Sequence, residues 1–198
     1  MGKIVYLMNM SLDGFIETPD RGLDWTVVDE ELHYFFNDQT RATAVMVYGR
    51  RLYETMAAYW PTGESNPDST PAMVEFAQIW NQRPIVVFST TLDNVVANAR
   101  LERGDLVGVV ERLRAEVDGD ISVGGPTLAA QLIPHGLVDE YRLVVHPVVI
   151  GAGKPFFPAL DTALQLRLLE TRTFESGATY LAYADDSATT RRRDASRS

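Results

Sequence analysis

Three stretches, TAVMVYG, PIVVFS and DISVGG, set the limits on this fold. Each is a strand-length apolar run that stops at a small or hydroxylated residue where a helix or loop begins. Near-continuous apolar runs of this length, rich in β-branched residues, suit strands buried on both faces. KIVYLMNM, close to the N-terminus, is a further one and reads as the central strand. Between the runs lie segments of helical period. Asp29 is placed to cap a helix reaching about Thr40, with Leu32, Phe35 and Phe36 on one face. RRLYETMAAYW starts a helix directly after Gly49, and AMVEFAQIWN and DLVGVVERLRAEV give two more. PTLAAQLIPHG gives a fifth, stopped by Pro134 and Gly136. VDEYRLVVHPVVIG reads as one long strand, and LQLRLLETRTF with ATYLAYA as an antiparallel hairpin turned at Glu175-Ser176-Gly177.

Strand and helix alternate until two strands close the chain. That order predicts an α/β fold with a mostly parallel sheet, flanking helices and an antiparallel edge. With 198 residues, the expectation is one domain over 1–184 and a polar tail over 185–198 with too little apolar content to order itself. The polar, Pro-rich segment 61–71 reads as a flexible insertion, not a domain boundary, because elements on both sides complete one sheet. The formal charge of −9 makes a surface that repels nucleic acid and anionic membranes. There is no cysteine, so disulfides and thiolate chemistry are excluded, which fits a cytoplasmic protein. No apolar run approaches a membrane span of about 20 residues. The N-terminal run, interrupted by Asn9 and Asp13, is not read as a secretory signal.

In open α/β sheets ligands bind beyond the carboxyl ends of the strands. Gly124 and Gly125 remove side chains that would hold a ligand off the backbone, and Pro126 suits the first turn of a helix. The N–H groups of Thr127, Leu128 and Ala129 then face outward with the positive end of the helix dipole, a cradle for pyrophosphate. The same Gly-Gly-Pro also suits an ordinary tight strand-to-helix connection. Arg50 and Arg51 open a second helix and can pair with a phosphate, or sit solvated in its first turn. Ser89 and Thr90 can bond a ribose phosphate, or form a turn. His33, His135 and His146 lie on separate elements without metal-ligand spacing and read as surface or edge residues.

Taken in order, MSLDGFIE, VYGRRLYE, VVFSTTL, VGGPTLAAQLIPHGLVDEYRL and HPVVIGAGKPFF resemble the dihydrofolate-reductase-like superfamily over residues 3 to 184. The similarity is greatest to the reductase domain of the bifunctional riboflavin-biosynthesis deaminase-reductase and its stand-alone relatives. The resemblance implies a homodimeric NADPH-dependent reductase of 5-amino-6-(5-phosphoribosylamino)uracil or a related heterocycle. A pterin reductase and a non-catalytic NADPH-binding module are the alternatives. It also implies site residues: Gly124, Gly125, Pro126, Thr127 and Leu128 at the pyrophosphate; Gly49 and Arg50 at the adenine-side phosphates; Ser89 with Thr90 near the 2′-phosphate. By the same resemblance, the backbone of Asn9 and Met10 is expected to meet the nicotinamide amide and Trp25 to cover the ring. Leu52 stands where relatives carry threonine, and no basic residue beyond Arg41 suggests itself for a substrate phosphate. The zinc-binding deaminase domain is absent, and no metal is expected. Hydride transfer to an imine also needs a proton. Asp13, at a strand end, is one candidate donor; Glu30 or Glu31, early in the first helix, is the other. The competing readings are a turn-forming Asp-Gly, helix-dipole carboxylates, and water as the donor.

Overall fold

The computed structural model describes residues 2–186. Strand β1 (Ile4–Ser11) is followed by the short β2 (Phe15–Glu17), then α1 (Glu30–Arg41), β3 (Thr43–Gly49), α2 (Arg50–Ala57), α3 (Trp60–Gly63) and α4 (Pro71–Gln82). Next come β4 (Ile85–Phe88), β5 (Ala99–Glu102), α5 (Leu106–Glu116), β6 (Asp120–Gly124) and α6 (Pro126–Leu132). The chain then forms β7 (Glu140–His146), β8 (Lys154–Pro155), β9 (Leu166–Thr173) and β10 (Thr179–Asp185). Eight strands make one sheet in the order β5-β4-β3-β6-β1-β7-β10-β9, and β2 pairs with β8 in a separate ribbon. Strands β5 through β7 run parallel, and β10 and β9 join antiparallel. This is the mixed, mostly parallel sheet with a C-terminal hairpin that the alternation of elements predicts.

The apolar runs are buried because each has helices over it. Ile4, Tyr6, Val45, Val47, Ile121 and Val123 pack under α5 and α6. On the opposite face, Leu32 and Phe35 of α1 pack with Val144 and Tyr180, while Phe76 and Trp80 of α4 pack with Met46, Tyr48 and Val87. Asp29 caps α1 by accepting from the Leu32 N–H at 2.8 Å, a contact of the kind worth about 1 kcal/mol. Asp139 and Glu140, at the start of β7, are structural. Asp139 accepts from the Ile4 N–H at 2.8 Å and pairs with Arg114, and Glu140 pairs with Lys3 and Arg142.

Several expectations change. The run 138–151 is a strand only to His146, because Pro147 has no N–H for the ladder and the chain turns into the Pro147–Gly153 loop. That strand is interior, between β1 and β10, so it offers no free edge; the edge strands of this sheet are β5 and β9. The helix after Gly49 breaks at Ala57, and the segment expected to be a flexible insertion begins in α3. Ser69 ties that segment down by donating to the Gly63 carbonyl at 2.7 Å and bonding the Tyr59 hydroxyl at 2.6 Å. Strand β5 was not anticipated, since ARLE lacks an apolar pattern. Strand β10 continues to Asp185, one residue past the expected domain end, and residues 187–198 of the expected tail lie outside the described residues.

Candidate active site

Register brings the glycine-ended strands level. Tyr48 of β3 pairs with Gly124 of β6, and Gly49 with Phe88 of β4, so Gly49, Ser89 and the Gly124-Gly125 turn stand in a row. Strand β6 stops there, with its last pairing to β1 at Tyr6↔Val123. Strand β1 runs on, paired only with β7 as far as Ser11↔His146. A notch results: from Leu7 to Ser11, β1 has no described strand on its β6 side. Its floor is the Gly124-Gly125 turn, and Asn9 and Met10 form one wall.

The two glycines do different work. A Cβ on Gly124 would stand 2.4 Å from Leu52 Cδ2 and 2.8 Å from the Tyr48 ring, so this glycine lets α2 pack tightly onto β6. Gly125 has φ +94°, a conformation that L residues rarely adopt, and a Cβ there would meet only Leu52 Cβ at 3.9 Å. Its outer side is open. Leu52 therefore packs over the Gly124 backbone. Leu128 is buried, with its side chain against Gly49. Only its backbone, with that of Pro126 and the exposed Thr127, borders the notch.

Arg50 is exposed, with only a loose 3.8 Å approach to Glu54 on its own helix. Arg51 pairs with Glu17 of β2 at 2.8 Å. The Ser89 hydroxyl accepts from the N–H groups of Thr91 (3.1 Å) and Leu92 (3.0 Å), shaping a turn that leaves Thr90 exposed. Arg103, which the sequence reading missed, follows β5 and donates to the carbonyls of Ser89 (3.3 Å) and Leu92 (2.5 Å). It reaches this place only because β5 pairs with β4.

At the other end of the notch lies His146, 1% exposed and hence neither a surface nor an edge residue. Its Nε2 stands 2.9 Å from Asn9 Oδ1, and its Nδ1 accepts from the Val27 N–H at 3.4 Å. Trp25 meets the ring edge-on at 5.7 Å. An acceptor role at Nδ1 makes Nε2 the protonated nitrogen, so the ring is neutral. Burial pushes its pKa down in the same sense. His146 thereby ties the loop between β2 and α1 to the ends of β1 and β7. The indole N–H of Trp25 is buried without a partner among the described residues.

The acidic candidates do not converge on the notch. Asp13 is exposed and accepts from the N–H groups of Ile150 (3.2 Å) and Gly151 (2.8 Å). The Ser11 hydroxyl, then these two N–H groups, hold its carboxyl below the usual range. It is a staple for the loop after β7, ionised and poorly suited to giving a proton. Glu30 is exposed in the first turn of α1, with no hydrogen bond to a described residue, and Glu31 is held by Arg172 at 2.7 Å. Arg41 pairs with Asp38 and Glu75 at the far end of α1, so it is remote from any substrate phosphate at the strand ends. Among the described residues no cluster of His, Asp or Glu could hold a metal ion, and no helix is long and apolar enough to cross a membrane. A surface hollow of about 490 Å³ between α1 and α4, lined by Tyr34, Pro71, Val74 and Gln78 among others, lies apart from the notch.

The model of the RibD C-terminal domain matches residues 2–180. Uncharacterized protein YyaP of Bacillus subtilis is 32% identical over 91% of this chain and 94% of its own length. Among solved structures, RibD of Acinetobacter baumannii superposes with a TM-score of 0.65 at 16% identity, over 93% of this chain and 58% of that one. Dihydrofolate reductase from Enterococcus faecalis, complexed with NADP(H), gives a TM-score of 0.63 at 18% identity, over 93% and 97%. These likenesses show a dihydrofolate-reductase-like fold.

Proposed function

Because the chain belongs to the RibD C-terminal domain family, we propose that it is an NADPH-dependent reductase of a pyrimidine-ribose or related heterocycle, of the 5-amino-6-(5-phosphoribosylamino)uracil reductase type. The observation that carries this reading is the notch where β1 outruns β6, floored by a glycine whose outer side is open. The residues there suit the cofactor. Gly125 gives pyrophosphate an approach that a Cβ would fill, and the N–H groups of Thr127 and Leu128 have no helical acceptor, whereas that of Ala129, also expected in the cradle, donates to the Gly125 carbonyl at 3.2 Å. Arg50, Arg103 and the Ser89-Thr90 turn form a cationic, hydroxylated end suited to a 2′-phosphate. The orphaned Trp25 N–H offers a donor at the opposite end, on a ring that packs against His146.

When bound, NADPH supplies the hydride. The chain's own part is to bind, to orient and to exclude water. His146 holds Asn9 and the Trp25 loop in place, and Leu52 packs against the Gly124-Gly125 floor. We include a cytoplasmic homodimer in this reading. Its interface would be β9, an edge strand that leaves Leu168 52% and Leu169 43% exposed.

Dissociation constants for NADPH and NADH at one ionic strength test the reading. We expect NADPH to bind more tightly, and Arg50→Ala to weaken it by about 1–3 kcal/mol. Equal affinities for the two cofactors would refute it. Saturable NADPH oxidation with 5-amino-6-(5-phosphoribosylamino)uracil distinguishes an enzyme from a binding module.

A further inference from the structure

The pleat of β1 divides its side chains between two faces. Met8 and Met10 pack into the core beneath α5 and α6, whereas Leu7 packs on the opposite face with Leu32 and Phe35 of α1. Asn9, two residues beyond Leu7, therefore stands on the α1 face. His146 is there too, two residues beyond Val144, which belongs to the same α1 cluster. Asn9 pairs with Val144 and Ser11 with His146, so Asn9 and His146 are diagonal neighbours on one face of adjacent strands. Asn9 thus offers the notch two separate surfaces. Its backbone lies on the strand edge that β6 leaves free, and its side chain stands off the sheet.

A chain of hydrogen bonds settles which end of that amide is free. It starts from the Val27 backbone N–H, which can only donate, and which faces His146 Nδ1 at 3.4 Å. Nδ1 is then an acceptor and Nε2 carries the hydrogen. Nε2 donates to Asn9 at 2.9 Å, so the atom it meets is the amide oxygen and not the nitrogen. Nδ2 is left with two hydrogens and no acceptor among the described residues, on a half-buried side chain. The amide nitrogens of Asn37, Asn81 and Asn98, by contrast, all donate to backbone carbonyls. The nearby acids are committed elsewhere. Asp29 accepts from the N–H groups of Leu32 and Ser176, and Glu31 accepts from Arg172 and the Glu175 N–H. Once a ligand covers Asn9 and excludes water, Nδ2 must find its acceptor on the ligand or go unpaired. A ring carbonyl oxygen supplies that acceptor. A ring amino group would set donor against donor.

We propose that the side-chain amide of Asn9 is the specificity-determining donor of this reductase, giving a hydrogen bond from Nδ2 to a ring carbonyl oxygen of the bound heterocycle, with His146 as the residue that positions it. The inference rests on the reductase reading above and narrows its substrate to oxo-heterocycles. The cofactor then takes the backbone edge of β1, and the heterocycle takes the side chain on the α1 face. His146 acts through Asn9: without its Nε2–H the amide is free to turn over and present its oxygen to the ligand instead.

The test uses the full chain saturated with NADP⁺ and a matched pair of probes: lumazine, which is 2,4-dioxopteridine, and 2,4-diaminopteridine, in which amino groups replace both carbonyls. By calorimetry the wild type should bind lumazine about tenfold or more tightly than the diamino compound. Asn9→Asp keeps an oxygen for His146 but turns the free end into an acceptor, so it should reverse that order. A merely structural role for Asn9 would weaken both probes alike. NADPH affinity in the same variant should stay within about threefold, because the backbone edge is untouched. His146→Phe should weaken lumazine by about fivefold, and His146→Gln, which restores a donor, should recover most of that loss. In ¹⁵N-asparagine-labelled wild type, lumazine should shift the Asn9 side-chain amide and leave that of Asn37, bonded to Ala72 and Glu75, unmoved. No preference for lumazine, an unchanged order in Asn9→Asp, or an unmoved Asn9 amide overturns the proposal. If NADPH binds but these responses are missing, the cofactor reading stands and this one falls. If the wild-type protein does not bind NADPH, both fall.

Discussion

Two adjacent glycines should fail in different ways when each gains a methyl group. In Gly125→Ala the new Cβ enters open space, so nothing clashes, but φ +94° becomes strained. Such conformations cost roughly 1–3 kcal/mol for a non-glycine residue. In a chain of this length that lowers Tm by roughly 2–12 °C. In Gly124→Ala the backbone is unstrained, but the Cβ would lie 2.4 Å from Leu52 Cδ2 and 2.8 Å from the Tyr48 ring. The Leu52 end can swing away, whereas the buried Tyr48 ring cannot, so overpacking of about 1–3 kcal/mol follows. The stability losses are therefore similar, and NADPH affinity is what separates the two. Gly125→Ala puts its methyl where pyrophosphate must approach and should weaken NADPH at least tenfold, about 1.4 kcal/mol. Gly124→Ala places its methyl under Leu52, away from the ligand, and should leave affinity within threefold. Adding Leu52→Ala to Gly124→Ala should cost less than the sum of the single changes, because the closest contact is then gone. Thermal midpoint and calorimetric affinity on the same preparations decide it. A folded Gly125→Ala protein that binds NADPH as well as the wild type refutes the assignment of the cradle to this turn.

Acid should loosen the loop clamp. The His146 pKa is lowered by burial, so the folded state resists protonation there. Stability from this site is complete above the unfolded value of about 6.5 and declines as pH falls below it. The difference in melting between wild type and His146→Phe across pH 7 to 5 isolates this contribution, and parallel curves would exclude it. Asp139→Ala should cost about 3–5 kcal/mol in urea unfolding. It removes the carboxylate that faces the nearly buried Arg114 and leaves the Ile4 N–H without its acceptor. A loss under 1 kcal/mol would show that the pair is dispensable. Light scattering should give a dimer mass at micromolar concentration, reduced to a monomer by Leu168→Lys on β9; a monomeric wild type excludes the interface.

The sequence by itself determined the layer architecture and the identity of the turn at the strand ends. Those features are local. Burial on both faces writes continuous apolar runs such as IVYLMNM, an amphipathic face writes Leu32 and Phe35, and a cap writes Asp29. Gly125 was legible as a position that demands glycine for the same reason, since a positive φ is a property of one position. The separate duty of Gly124 was not, because it depends on Leu52 and Tyr48, more than seventy residues earlier in the chain. Tertiary structure alone decided which polar residues share the site. Asn9 and His146 lie on different strands and meet only through the β1–β7 register. Arg103 arrives beside Ser89 because a strand without an apolar pattern pairs with β4. Asp13 had the sequence position of a proton donor and is instead the staple of a loop near residue 150. Strand order and register are set by long-range pairing, and that pairing converts scattered polar residues into one notch.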